Sequence, residues 1–190
     1  MFIVFEGIDG TGKSTQVKLL AEAFRAKGRE VILSKEPTDG PHGTRLRQSA
    51  ETGRLSAQEE LDLFHLDRRE HVETLINPAL ARGAVVLLDR YYFSTMAYQG
   101  IRGFDPSKIR RINEKFAPLP DLVFILELNL DIALSRIGVR DGQANEFEQR
   151  DALQKCHDVF ASLTDGFVRR IDAEQSPTEV HGKILEYLEL

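Results

Sequence analysis

Residues 7–15 read GIDGTGKST and directly follow the apolar run MFIVFE. The string satisfies GxxxxGK(S/T), with Gly7, Gly12, Lys13 and Ser14 at the fixed positions. Glycines in such a turn let backbone N–H groups converge on phosphate oxygens without Cβ clashes. A helix starting near Lys13 then points its positive end at the anion. Lys13 supplies a mobile charge for β- and γ-phosphates, and the Ser14 hydroxyl can ligate magnesium. A plain glycine turn ahead of an amphipathic helix would use some of these residues. Its place between a first strand and a helix is the one that phosphate binding demands. The motif predicts a nucleoside triphosphate on Gly7, Ile8, Asp9, Gly10, Thr11, Gly12, Lys13, Ser14 and Thr15.

The rest of the chain alternates strands with helices. Short apolar runs at Phe2–Phe5, Glu30–Leu33, Ala84–Leu88, Leu122–Leu128 and Phe167–Ile171 do not alternate in polarity, as expected for strands covered on both faces. Helical patterns lie at Lys13–Lys27, Ala57–Ala81, Pro106–Phe116, Leu130–Ile137, Phe147–Leu163 and Pro177–Leu188. This order predicts an α/β fold of the P-loop NTPase type, with a parallel five-stranded sheet and helices on both faces. The polar stretch GVRDGQANE at 138–146 interrupts two helical patterns and reads as a small mobile lid. We expect one domain over residues 1–190, with the lid at about 138–150.

Composition narrows the class. With 25 basic and 30 acidic residues the net charge is -5, which argues against a broad nucleic-acid footprint. Cys156 is the single cysteine, so no intrachain disulfide can form, which fits a reducing compartment. No apolar stretch approaches a membrane span, and the N-terminal apolar run is too short for a signal peptide. A cytoplasmic protein without a membrane partner is expected.

In a parallel sheet, ligands sit at the carboxyl ends of the strands. The run AVVLLD ends in Asp89, where a second magnesium-linked carboxylate is required beside Ser14. Taken alone, Asp89 reads more readily as a helix N-cap or turn residue. EPTDGPHGTRLR brings Arg45 and Arg47 past the second strand, and DRYYFSTMAYQG sets Arg90 beside Asp89. In LFHLDR, Phe64 and Arg68 are four apart and share a helix face. Arginines for a second phosphate and an aromatic for a base describe a nucleotide acceptor. Phe64 also reads as core, and Arg68 as one more solvated charge. Tyr91, Tyr92 and Phe93 read as packing, His65 and His71 as structural or surface, and Arg110–Arg111 as a solvated face.

Together FEGIDGTGKST, the EP pair at Glu36–Pro37, LFHLDR, DRYYFSTMAYQG, PDLVFILEL and the IDA at Ile171–Ala173 resemble the bacterial thymidylate kinases over nearly the whole chain. The resemblance implies Mg²⁺-dependent transfer of the ATP γ-phosphoryl group to dTMP, giving dTDP, by a homodimer. It implies that Arg90 holds the acceptor phosphate, with Arg47 as a second contact beside Glu36 and Pro37. Phe64 would stack on thymine and Arg68 would donate to a base carbonyl. Tyr98 would pack under the sugar, and Ser94, Thr95 and Gln99 would line the pocket. Asp9 would lie between the two nucleotides, and Ser14 with Asp89 would hold the metal.

Two stretches depart from the family pattern. Some members carry a basic residue where Gly10 stands here, so the charge for the transferring phosphoryl group should come from the flap, at Arg136 or Arg140, with Arg150 a weaker candidate. In NEFE, Glu146 stands where an arginine is common before Glu148. The alternatives are a kinase for another (deoxy)nucleoside monophosphate or for a nucleoside, and a nucleotide-binding sensor without transfer. Intact Lys13, Ser14, Asp89 and Arg90 count against the sensor, and paired Arg90 and Arg47 favour a charged acceptor.

Overall fold

The computed structural model describes residues 1–53, 55–141 and 146–190. Five parallel strands, β1 (Phe2–Glu6), β2 (Val31–Lys35), β3 (Val85–Asp89), β4 (Leu122–Glu127) and β5 (Val168–Asp172), form one sheet in the order β2-β3-β1-β4-β5. The register pairs Phe5 with Asp89 and with Phe124. All five strands therefore end on the same edge, and the loops that follow them converge there.

Strand residues alternate between two cores. Ile3, Phe5, Val85, Leu87 and Phe124 pack on helices α1 (Lys13–Ala26) and α9 (Pro177–Leu188), through Leu20, Phe24 and Ile184. Val4, Val86, Leu88, Val123 and Ile125 face the opposite layer. That layer comprises α3 (Ala57–His71), α4 (Asn77–Ala81), α5 (Tyr92–Gly100) and α8 (Glu146–Ala161), and α6 (Pro106–Asn113) packs against α5. The runs of β1, β3 and β4 are thus buried on both faces, as their lack of alternation predicts, whereas the edge strands β2 and β5 are only partly covered and Leu33 on β2 is 37% exposed. Tyr91, Tyr92 and Phe93 are fully buried in this second core, in agreement with their reading as packing.

Several expectations need correction. The segment after β2, where the sequence pattern gives no helix, contains α2 (Pro41–Thr52), opened by Pro41 in the first turn, where a missing N–H costs nothing. The segment after β3 becomes α5 almost at once. The pattern at Ala57–Ala81 is not one regular helix, because a π-helical turn spans Val72–Ile76 between α3 and α4. Pro78 lacks an N–H and its ring would clash with the carbonyl four residues back, so the helix widens ahead of it. Helix α7 (Leu130–Asp141) runs past its expected end at Ile137. Arg110 is no solvated charge: its two Nη atoms reach the two Asp165 oxygens at 2.8 and 2.9 Å. No helix among the described residues is long and apolar enough to cross a membrane.

Candidate active site

The turn between β1 and α1 takes the shape its glycines permit. Gly7 has φ 133°, and a Cβ there would lie 2.5 Å from the Leu126 carbonyl oxygen. The first turn of α1 opens on a cavity of about 320 Å³, lined by Asp9, Gly10, Gly12, Lys13, Ser14, Thr15, Asp89 and Arg90. Lys13 folds back over the turn and donates to the carbonyls of Gly7 and Ile8 at 3.1 and 2.8 Å. It also reaches Thr11 Oγ1 at 3.3 Å. Burial, with the Arg90 charge adding to it, holds the Lys13 ammonium below its ordinary pKa. Ser14 Oγ donates to Asp89 Oδ2, so the two oxygens expected to hold a metal are in direct contact at the cavity wall. A hydroxyl and a carboxylate are the hard donors magnesium prefers.

At the end of β3, Arg90 adopts φ 70°, rare for a residue with a Cβ. Such strain belongs where the surroundings over-determine it. The Arg90 N–H donates to Phe5 O at 3.0 Å. Its guanidinium reaches Asp9 Oδ1 at 2.7 Å and Ser94 Oγ at 2.8 Å. Tyr98 donates its hydroxyl to Asp9 Oδ2 at 2.9 Å. Burial opposes ionisation of Asp9, but the Arg90 and Lys13 charges and the Tyr98 hydroxyl outweigh it and lower its pKa.

Behind this cluster lies Glu6, the last residue of β1 and 0% exposed. It accepts from the N–H groups of Tyr91 and Ser94 at 2.7 and 3.1 Å and from Ser94 Oγ at 2.6 Å. Burial pushes its carboxyl up to about 7, against the Ser94 hydroxyl, the Arg90 charge and the Tyr91 N–H.

A second cavity, of about 290 Å³, shares the Asp9–Arg90 wall and extends between α2, α3 and α5. It brings together the predicted Glu36, Pro37, Arg47, Phe64 and Arg68 with Ser94, Thr95, Tyr98 and Gln99. The last four lie on one side of α5 by their spacing. Arg47 holds the loop rather than projecting freely, donating to Pro37 O at 2.9 Å and Asp39 Oδ1 at 3.0 Å. Arg45 is exposed on α2 and does not line the cavity.

Arg68 is 1% exposed, so the solvated-charge alternative fails. Its Nε donates to Glu36 Oε2 at 2.8 Å, Nη1 to Asn113 Oδ1 at 2.7 Å and Nη2 to Thr95 Oγ1 at 3.0 Å. His71 lies between Glu36 Oε1 at 3.0 Å and Ser34 Oγ at 2.8 Å, which makes it a buried structural residue. Burial, together with the nearby Arg68, depresses the His65 imidazole to about 4, so it is neutral at physiological pH.

Of the flap candidates, Arg136 sits on α7 directly over the phosphate turn, where Nη1 donates to Gly10 O at 3.1 Å. Arg150 pairs with Asp131. The Arg140 side chain and those of the Asn145–Glu148 stretch lie outside the described residues.

Sequence reasoning missed Glu6, Glu60 and Asn113. Glu6 carried a signal, a carboxylate ending a buried strand just before the phosphate turn. Glu60 and Asn113 look like ordinary polar residues of a helix, and only the fold shows them buried.

The family model for thymidylate kinase matches residues 5–184. A thymidylate kinase from Akkermansia muciniphila is 54% identical over 188 residues, 99% of this chain and 91% of that protein. One from Desulfotalea psychrophila is 47% identical over 185 residues, covering 96% of this chain and 91% of the relative. One from Xanthomonas campestris pv. campestris is 53% identical over 163 residues, covering 86% of this chain and 71% of its own length.

Proposed function

The chain belongs to the thymidylate kinase family, and from that premise we propose how its residues move the ATP γ-phosphoryl group to dTMP, giving dTDP. The observation that carries this reading is the single wall, Asp9 and Arg90, shared by a phosphate cradle and a base-sized cavity. Donor and acceptor phosphates bound in the two cavities would meet there.

ATP would lie on Gly7–Thr15, with Lys13 leaving the loop carbonyls to meet its β- and γ-phosphates. Ser14 and Asp89 would hold Mg²⁺, which supplies positive charge to the phosphates when bound. Arg90 would orient the acceptor phosphate for in-line attack, and its bond to Asp9 would keep the guanidinium aimed at the shared wall. Arg47 would close the acceptor side through the Glu36–Pro37 loop. Phe64 would stack on the base, Arg68 and Thr95 would offer donors to it, and Tyr98 would occupy the space beneath the sugar. The acceptor oxygen is itself the nucleophile, so the side chains are needed for position and charge.

Residues 138–150 would act as a lid within a single domain. Arg136 on α7, or Arg140 beyond it, would neutralise the transferring group. Arg150 is less suited, since its pairing with Asp131 holds it away. We also read the protein as a cytoplasmic homodimer associating through helices that include α3. Family membership supports that reading, and Leu66 on that helix is 47% exposed. Light scattering on the purified chain tests the dimer.

The function is tested by steady-state ADP release with ATP·Mg²⁺ and dTMP, dUMP, dCMP, AMP, UMP or thymidine as acceptor. Strong preference for dTMP is the expected result. Equal or better turnover with another acceptor would overturn the pocket assignment. ATP binding without any transfer would favour a sensor.

A further inference from the structure

We infer that Glu60 is a positioning residue that locks the orientation of the Gln99 amide and thereby makes the acceptor pocket select a base offering an N–H. This inference rests on the acceptor reading above. Gln99 lines the second cavity and is 2% exposed. Its Nε2 donates to Glu60 Oε2 at 2.7 Å. An ionised carboxylate only accepts, so the amide has one orientation here; a flip would set oxygen against oxygen. Glu60 is itself 6% exposed and held from behind. Arg102 donates to the same Oε2 and, through Nη2, to the Leu55 carbonyl at 3.2 Å, tying the lock to the chain entering α3.

The consequence is a polarised pocket. Gln99 Oε1 is buried and has no hydrogen-bond partner among the described residues. A buried acceptor left unmet carries the full cost of its desolvation, so it calls for a donor from outside the chain. On the same cavity, Arg68 presents a guanidinium already oriented by Glu36, Asn113 and Thr95. A fixed acceptor next to fixed donors complements a ring N–H beside a carbonyl, the edge of a keto pyrimidine. Cytosine offers a bare ring nitrogen instead of the N–H. Binding it would leave Gln99 Oε1 unpaired or set two acceptors together, the arrangement by which buried polar sites discriminate most strongly.

The test compares kcat/KM for dTMP and dCMP in the full-length enzyme. Glutamine at position 60 can donate as well as accept, so Glu60→Gln releases the lock with little change in shape. The dTMP-over-dCMP preference is expected to fall at least tenfold in Glu60→Gln. In a Gln99→Met background the same change should leave the preference where Gln99→Met alone puts it. A merely structural role would lower both substrates together, so an unchanged preference in Glu60→Gln overturns the inference. An equal fall in the Gln99→Met background does so too. If Glu60→Gln does not fold, Arg102→Gln leaves the carboxylate in place but removes one of its anchors. A smaller fall in the same direction is then expected, and no fall overturns the inference. Wild-type enzyme without preference for dTMP over dCMP would overturn the acceptor reading itself, and this inference with it.

Discussion

The Arg90 guanidinium lies 2.7 Å from the Asp9 carboxylate, at the wall between the phosphate cradle and the second cavity. Asp9 belongs to the turn after β1 and Arg90 to the end of β3, neighbouring strands that deliver both groups to one edge. An arginine so oriented is ready for a phosphate before the substrate arrives. Replacing Arg90 by Met removes that charge without changing the sheet. We expect kcat/KM for dTMP to fall about 10²–10³-fold, with KM for ATP within a few-fold of wild type. Steady-state kinetics check this, and a loss under tenfold would remove Arg90 from the acceptor site.

Glu6 provides a pH-dependent prediction. Its folded pKa, raised by burial to about 7, lies above the ordinary 4.5. Between those values the folded chain holds a proton that the unfolded chain releases. That stabilisation is complete at low pH and is lost as pH rises through the folded value. Glu6→Gln carries no titrating proton. The wild-type melting temperature, taken relative to the variant, should therefore decline from about pH 5 to about pH 8. A constant difference would mean that the three donors keep Glu6 ionised throughout.

The Glu36–Arg68 pair is buried on both sides, at 3% and 1% side-chain exposure. Glu36→Ala strands the guanidinium and also takes a partner from His71. Breaking one side of a buried pair costs about 3–5 kcal/mol. At about 2–4 °C per kcal/mol for a chain of this size, melting should drop by about 10 °C. Thermal denaturation followed by circular dichroism measures it, and a shift of only a degree or two would show that the pair relaxes into solvent.

Gly43 is required by contact, since a Cβ there would lie 2.1 Å from the Thr38 carbonyl oxygen. Thr38 cannot retreat easily, because Asp67 accepts from its N–H and hydroxyl at 2.8 and 2.6 Å. Gly43→Ala must therefore push α2, and Arg47 with it, away from the Glu36–Pro37 loop. An overpacking cost of about 1–3 kcal/mol should appear as a KM for dTMP raised about tenfold, with KM for ATP little changed. Equal changes for both substrates would mean the disturbance is global.

Much of this site was legible before the fold was known. The phosphate turn is local, so nine consecutive residues specify both its geometry and its chemistry. Asp89 and Arg90 were legible because a parallel sheet brings strand ends together. Phe64 and Arg68 could be paired by helical spacing, but whether Arg68 was buried depended on Glu36 and Asn113, which lie 32 and 45 residues away. Glu60 was invisible for the same reason, since its partners Gln99 and Arg102 are on another helix and its loop. Helices α2 and α5 were hidden because their first turns carry proline, glycine and aromatics that local propensity assigns to loops.

The relation between Gly10 and Arg136 yields the sharpest test of the flap. Gly10 has φ 82°, and a Cβ there would come within 3.2 Å of Ala133 O and 3.4 Å of Arg136 Cβ. Helix α7 thus occupies the space that a side chain at position 10 would need. The space is filled by the arginine that reaches Gly10 O at 3.1 Å. A basic residue in the turn and Arg136 over it are therefore alternatives for one volume. Arg136→Met should lower kcat about 10²–10³-fold while leaving KM for dTMP within a few-fold, since the cavity proposed for the acceptor is lined by Asp9 and Arg90 but not by Arg136. Gly10→Arg should not restore the loss in that background. The backbone strain and the Ala133 carbonyl remain, so its guanidinium would be pushed out of the site. Single-turnover kinetics with ATP and dTMP separate this step from product release. Near-normal transfer in Arg136→Met would shift the catalytic charge to Arg140, and rescue by Gly10→Arg would show that α7 yields more easily than its contacts imply.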